Sequence, residues 1–554
     1  MNKTAALLAC AILISGCAVV APTPTPTPTP TPKPTATATP LPPTPTPTPA
    51  PLRVWLSPAV PLVVRDAVRE ALTELDTLPA ASAEGADLRV DLGLPVTLAQ
   101  WVYAVVVPFP MLLDEVHWQD IVRFWHGEPE ALAGLAEPDK PPTLFVDPET
   151  LGVLHGLLGP SSERAPITVV EEEDLVADAW GERPHAWAVV PFDALKPRWK
   201  VLAIDGADVL DKQLAVPQYP LTVSIGAEGR GAETLAQALL GEGDALTNRD
   251  TEQMTVLVMT GVTALVRGIA ARMERHGILH PALYVGDVLR QADLAHISNE
   301  IPFAENCPPP DPSDQSLVFC SDPRYIELLR HVGADLIELT GNHFQDYGSA
   351  ATLHTLKMYE EEGWPHYGGG ADLDDARQAI VMESNGNKLS FIGCNPVGPE
   401  FAWATENSPG AAPCDFTYMH SEIERLSTEV DVPIATWQYW EFYQYEPTDQ
   451  QRYDFRGMVD AGAVIVSGSQ AHHPQAIEFY KDGFIHYGLG NLFFDQMWSL
   501  GTRQEMIDRH IIYGGRHIST QLLTFMLEDY SQPRPMTAEE RQQLLSAVFE
   551  ASGW

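Results

Sequence analysis

The chain has 554 residues, enough for two or three domains, and 45% of them are hydrophobic, an ordinary share for globular protein. Its 34 lysines and arginines face 74 aspartates and glutamates, a formal charge of −40. That balance argues against a nucleic-acid binder or a protein that docks on an anionic membrane surface.

The N-terminus reads as an export signal. Lys3 precedes an apolar run from Ala5 to Ile14, too short for a lasting membrane span. The run ends in Ile14-Ser15-Gly16-Cys17, which resembles the bacterial lipobox. The resemblance implies cleavage before Cys17 and lipidation of its thiol, so residues 1–17 are signal and anchor. Several acyl chains, each adding about 0.8 kcal/mol per buried methylene, make a stable anchor. Residues 18–51 are rich in Pro and Thr. Proline fixes φ and removes a donor, so this stretch is a polyproline-II-like tether, about 3.1 Å per residue. No later run of about 20 apolar residues occurs. The expected location is extracytoplasmic, lipid-anchored to the cell membrane.

Beyond Cys10 in the signal and Cys17 at the lipid site, four cysteines remain: Cys307, Cys320, Cys394 and Cys414. An even number outside the cytoplasm suggests two disulfides. Three pairings exist. We favour 307–320 with 394–414, because each closes a short proline-containing loop.

Residues 52–250 alternate strand-like and helix-like segments. Leu52–Leu56 alternates as a strand, and residues 61–75 carry the helical spacing of Leu62, Val68 and Leu72. Strands are expected near 87–92, 101–108, 187–192 and 199–204, with a helix over Trp118–Trp125. The stretches 120–127 (DIVRFWHG), 187–195 (WAVVPFDAL) and 201–206 (VLAIDG) resemble the two-lobed, phosphate-type periplasmic solute-binding proteins. The resemblance implies an α/β body of two lobes and carries over no ligand residue. Residues 226–250 are rich in Gly, Ala and Glu and read as a linker with one short helix.

From 251 to 530 polar residues collect where strands end, the place where α/β sheets put their sites. The apolar strand 255–259 leads to Gly261-Val262 and Arg267, and a helix over about 282–292 leads to Asp293-Leu294 and Ser298-Asn299-Glu300. Strand 334–339 opens onto Asn342-His343, with Asp346 and Gly348 after it. Strands at 432–437 and 463–466 open onto Gln438 and onto Gly468-Ser469-Gln470-Ala471-His472-His473. Two strands flank the turn Asp482-Gly483, and Gly488–Asp495 closes the run; 531–554 reads as a tail.

The ordered set ELTGNHFQDYG (338–348), YGGG (367–370), DAGAVIVSG (460–468) and IHYGLGNLFFD (485–495) resembles the CapA family, named for capsule and poly-γ-glutamate synthesis accessory proteins. The resemblance implies a four-layer α/β/β/α metallophosphatase-like sandwich. It also implies a site built by two divalent ions held on carboxylate and imidazole, which polarise a phosphate and acidify a bridging water. Carried over residue by residue, Glu300, Asn342, His343 and His472 stand at ligand positions, with His343 the catalytic candidate. Val262, Gln438 and Gln470 stand where the family has an aspartate and two histidines. Valine has no donor atom, and a glutamine offers only a neutral carbonyl. The expected cofactor is therefore one divalent ion (Mn, Fe or Zn) or none. Arg267, Gln438, Glu441, Gln470 and Asn491 are the substrate-contact candidates, and the aromatic residues of 437–445 suit stacking on sugar rings. Asp287 is out of order for the ligand set and reads as a surface residue; His473 and His486 read as packing residues.

Two functions follow as expectations. One is a CapA-like envelope lipoprotein acting in capsule or surface-polymer synthesis or export, by hydrolysis or by binding, with a surface polymer or lipid-linked sugar as partner. The other is a solute-binding or scaffold lipoprotein without catalytic activity. No G-x-S-x-G elbow supports a serine hydrolase.

Overall fold

A computed structural model describes residues 50–136 and 140–554. The signal, Cys17 and the tether lie outside the described residues. Residues 51–554 form one compact unit.

The N-terminal body contains β1 (Leu52–Leu56), β2 (Thr77–Pro79), β3 (Leu88–Leu92), β4 (Val96–Pro108), β5 (Thr143–Val146), β6 (Ile167–Val169), β7 (Ala186–Pro191), β8 (Trp199–Ile204) and β9 (Thr222–Gly229). One lobe has the order β2-β1-β3-β9-β4, and the other continues from β4 through β7 and β5 to β6. The 13-residue β4 thus serves both lobes, pairing with β9 through its first half and with β7 and β8 through its second. This is the two-lobed α/β arrangement expected for 52–250. The glycine-rich segment, however, is no spacer at its start. β9 is a central strand antiparallel to both β3 and β4. Glycine is needed at 226 because a Cβ there would lie 2.2 Å from the Leu94 carbonyl oxygen.

The two lobes are linked by a side-chain contact. Helix α1 (Leu62–Leu72) starts in the first lobe, and its Leu62 N–H donates to Glu149 Oε1 at 3.0 Å. Glu149 sits in the first turn of α2 (Pro148–Leu158), which the Asp147 side chain caps. A carboxylate of the chain itself therefore occupies a helix start that could otherwise hold an anion.

The C-terminal part contains β10 (Met254–Thr263), β11 (Leu294–Asn299), β12 (Leu336–Glu338), β13 (His366–Tyr367), β14 (Ile380–Ser384), β15 (Asn387–Cys394), β16 (Val432–Trp437), β17 (Ile465–Gly468), β18 (Ile477–Tyr480), β19 (Gly483–His486), β20 (Asn491–Phe493), β21 (Gln504–Tyr513), β22 (Arg516–Glu528) and β23 (Gln532–Pro535). The first sheet runs β13-β12-β11-β10-β21-β22-β23, with β20 also on β10; the second runs β14-β15-β16-β17-β19-β18.

Side-chain alternation along these strands sets the layers. Val256 and Val258 face outward onto a core shared with Ile269 and Met273 of α3 (Arg267–His276) and Tyr359 of α4 (Gly348–Glu362). Leu257 and Met259 face inward and meet Phe391, Ile434, Ile465 and Phe484 of the second sheet. The neighbouring Ile392, Ala435, Val466 and Ile485 face outward onto Met419 and Ile423 of α5 (Phe416–Leu426) and Phe455 and Met458 of α6 (Asp449–Asp460). The result is the expected α/β/β/α sandwich. Polar groups also lie between its sheets: His486 Nδ1 pairs with Asp508 at 2.8 Å, and His296 Nε2 with the Tyr367 hydroxyl at 2.7 Å.

The segment 531–554 is not a tail. It supplies β23 and α7 (Ala538–Ala551), whose Leu544, Leu545, Val548 and Phe549 are buried. A capping box at Thr537 and Glu540 fixes its start. The periodicity of 531–554 had no neighbouring family motif to anchor it.

Both disulfides are those favoured from the loops, Cys307–Cys320 and Cys394–Cys414. Among the described residues no helix is long and apolar enough to cross a membrane.

Candidate functional site at the strand ends

The candidate residues arrive from both sheets. β11 ends at Asn299 and delivers Glu300, whose N–H donates to the Thr263 carbonyl at the end of β10. β12 opens into Thr340-Gly341-Asn342-His343. Gly341 is obligatory there: a Cβ would stand 2.4 Å from the Glu300 carbonyl oxygen. From the second sheet, β16 delivers Gln438 and β17 delivers Ser469, Gln470 and His472. His472 takes a positive φ of 49°, a strained backbone for a non-glycine residue.

Two imidazoles are oriented by the groups behind them. His343 Nδ1 lies 2.6 Å from Asp346 Oδ2, and His472 Nδ1 lies 2.8 Å from Asn491 Oδ1. Asn491 in turn donates to the Thr502 carbonyl at 3.2 Å. The other nitrogen of His343 points to Glu300, with Nε2 3.8 Å from Oε1. Burial alone would lower the His343 pKa, but the hydrogen bond it donates to Asp346 and the charge of Glu300 outweigh it and raise it. Glu300 is 1% exposed, and its burial raises its pKa against the opposing pull of His472 and His343. Gln470 lies close enough to Glu300 to favour its charge, without a formed hydrogen bond between them.

Other candidates are placed differently. Arg267, expected to meet an anion, donates to Asp495 at 2.7 Å, and Asp495 also accepts from the Gly268 N–H at 2.6 Å. Its guanidinium lies over Phe319 and Phe494, so it is committed to this pair rather than open to a substrate. The partner lies 228 residues away in sequence, beyond the reach of local pattern. Glu441 sits on the exposed loop after β16 and accepts from the Tyr443 hydroxyl at 2.9 Å. Gln438 Nε2 reaches Ser298 only at 3.4 Å, and its Oε1 has no partner. Asp287 is on the surface, paired with Arg290. His473 is buried with its ring 4.4 Å from Tyr445.

Of the expected aromatic cluster, Trp437 and Tyr439 are core residues, while Trp440 and Tyr443 are exposed. Trp498, which sequence reading passed over because it follows the last family motif, packs edge-on against Tyr443 at 4.6 Å. Phe319, beside Cys320, packs on His343 at 4.6 Å.

Residues 256–496 match the family described as bacterial capsule synthesis protein. This part of the chain belongs to the CapA family. The capsule biosynthesis protein CapA of Bacillus anthracis is 24% identical over 296 residues, covering 52% of this chain and 71% of that protein. The PGA biosynthesis protein CapA of Bacillus subtilis (strain 168) is 26% identical over 235 residues, covering 42% of this chain and 61% of that protein. Among solved structures, a putative 5'-nucleotidase from Staphylococcus aureus is 14% identical at a TM-score of 0.32, covering 54% of this chain and 58% of that one. An ABC-type phosphate transport receptor from Vibrio cholerae is 12% identical at a TM-score of 0.29, covering 34% of this chain and 93% of that one. Likenesses this distant say nothing about activity.

The CapA-type domain can be tested for the metal pair that the resemblance implies. Val262, at the position of the missing aspartate, is fully buried with Ala264, Ile301, Phe319 and Phe494. Methyl and phenyl groups thus fill the place where an anionic ligand would stand. Gln438 and Gln470 bring neutral amides instead of imidazoles. Among the described residues, no three His, Cys, Asp or Glu side chains converge as a ligand shell. The donor set does not fit a two-metal centre.

Proposed function

We propose that the chain is an exported, lipid-anchored envelope protein that assists synthesis or export of a capsule-type surface polymer, and that its CapA-type domain binds rather than hydrolyses. The observation that carries this reading is the replacement of three ligand positions by Val262, Gln438 and Gln470 within an otherwise ordered CapA domain, with Val262 sealed in an apolar cluster. What remains can hold a polar ligand. Glu300, His343 and His472 supply a carboxylate and two imidazoles; Asp346 and Asn491 hold the imidazoles in place. The N-terminal body acts as a wall against the CapA domain, its two lobes linked through Glu149.

A one-metal hydrolase is the second reading. It is favoured by the two imidazoles, whose Nδ1 atoms are engaged so that Nε2 is left to face the site. Elemental mass spectrometry of the purified chain, beside a phosphodiesterase assay with added manganese, separates the two. Binding alone predicts substoichiometric metal and no turnover. Stoichiometric metal, lost together with turnover in H343A, overturns it. Deletion of the gene in its host should reduce surface polymer, and unchanged polymer would reject the envelope role.

A further inference from the structure

The residues that replaced metal ligands leave a specific hydrogen-bonding demand at the strand ends. Gln470 is 3% exposed with neither amide atom partnered, and Gln438 Oε1, Asn342 Oδ1 and Glu300 Oε2 are also buried without partners. Among these unpartnered amide and carboxyl atoms that is four acceptors against one donor, the Gln470 Nε2, beside the Nε2 atoms of His343 and His472. A ligand that satisfies them must bring several O–H or N–H donors. A carboxylate is acceptor-only and meets the demand poorly. Glu441 beside the site also opposes its charge, and Arg267 is already paired with Asp495, which leaves only the imidazoles to offset it.

Beside these groups lies an exposed aromatic corner. Tyr443 stacks nearly parallel to the His472 ring, at 17° and 6.4 Å, and Trp498 meets Tyr443 edge-on at 78°. Tyr443 is 41% exposed and Trp498 60%. A soluble surface rarely groups such side chains without something to cover them. The Tyr443 hydroxyl is held by Glu441, which fixes the ring beside His472.

We propose that this strand-end site binds an uncharged sugar unit of a surface polymer or its precursor, with one face on the Tyr443–Trp498 corner and its hydroxyls donating to Gln470, Gln438, Asn342 and Glu300. The C–H face of a sugar ring matches the aromatic corner, and the hydroxyls match the surplus of acceptors. The proposal rests on the envelope-polymer reading above and narrows it to a neutral saccharide rather than a poly-γ-glutamate chain.

The test uses the full chain in detergent micelles, titrated with an uncharged N-acetylhexosamine tetrasaccharide and, separately, with a γ-linked glutamate hexamer, each with chelator present. Tryptophan fluorescence reads the binding. The saccharide should quench it saturably and the glutamate hexamer should not. W498A and Y443A, both at exposed rings, should weaken binding about tenfold while leaving the far-ultraviolet circular dichroism and Tm unchanged. Q470A should weaken it similarly through lost hydrogen bonds, independently of the aromatic corner. Binding of the glutamate hexamer alone overturns the sugar assignment and leaves the polymer role standing. Saccharide binding indifferent to all three substitutions also overturns it. If neither probe binds, the gene deletion decides what fell. Lost polymer rejects only the sugar site, and unchanged polymer rejects both readings.

Discussion

Replacing Val262 by aspartate restores the family's missing carboxylate and tests whether the rest of the site still awaits a metal. Val262 is fully buried among Ala264, Ile301, Phe319 and Phe494. Removing its side chain from that cluster forfeits about 2 kcal/mol of apolar burial. Placing a carboxyl there without a partner adds a penalty of about 2 kcal/mol, with Glu300 nearby as a like charge. The sum, about 4 kcal/mol, lowers Tm by roughly 8–16 °C for a melting unit of roughly 240 residues and by about half that if 51–554 melts as one. Differential scanning calorimetry of wild type and V262D, each with and without manganese, measures it. Manganese at a hundredfold excess over Kd would return about 2.7 kcal/mol to a protein that binds it. We expect no return for V262D, because Gln438 and Gln470 still stand in place of imidazoles, and a partial return for the triple variant V262D/Q438H/Q470H. A fall of less than about 2 °C, or uptake of manganese by V262D alone, would show that the pocket is already shaped for an ion and would refute the reasoning.

Glu505 is fully buried, neither of its carboxyl oxygens has a partner, and burial raises its pKa well above the ordinary value. A raised carboxyl pKa leaves folding unpenalised below the unfolded value and costs stability as pH climbs above it. E505Q should therefore raise Tm at pH 8 and leave it unchanged at pH 4; equal shifts at both would reject the assignment. In the N-terminal body, the carboxylate of Glu149 at the start of α1 predicts that phosphate leaves the wild-type Tm unchanged, read by a thermal-shift titration. A phosphate-dependent rise would revive the solute-binding alternative. Closing the 13-residue separation of Cys307 and Cys320 stabilises by about 3 kcal/mol in the chain-entropy picture. C307S/C320S should lose about that much in urea denaturation and free Phe319 from His343, which a shift of the His343 resonance in NMR would report.

The sequence showed the sandwich well because its strands alternate cleanly and its motifs sit at strand ends. Asn342-His343 and His472 could be placed from their loops alone. What could not be read was mostly long-range. The Arg267–Asp495 pair joins the two ends of the CapA domain, so Arg267 read as a free cation. Trp498 gains its place only when the loop after β20 folds back against Tyr443. The glycine-rich start of 226–250 mimics a linker because close backbone approach and flexible spacing both select glycine. The segment 531–554 has a helical pattern whose partner surface is built by the N-terminal body and β22, so its role shows only in the assembled fold.

Phe109 at the end of β4 is ringed by Phe479, Phe484, Phe549 and Trp554, and Trp180 packs on Phe479 and Trp554. Arg541 clasps Asp114 at 2.9 and 3.0 Å across the same seam. Severing the chain near residue 250 would leave a greasy scar on each piece, one bearing Phe109 and Trp180, the other Phe479, Phe549 and Trp554. Neither half could be traded into another protein as a ready module, and a fragment ending there would clump before it could report on any ligand.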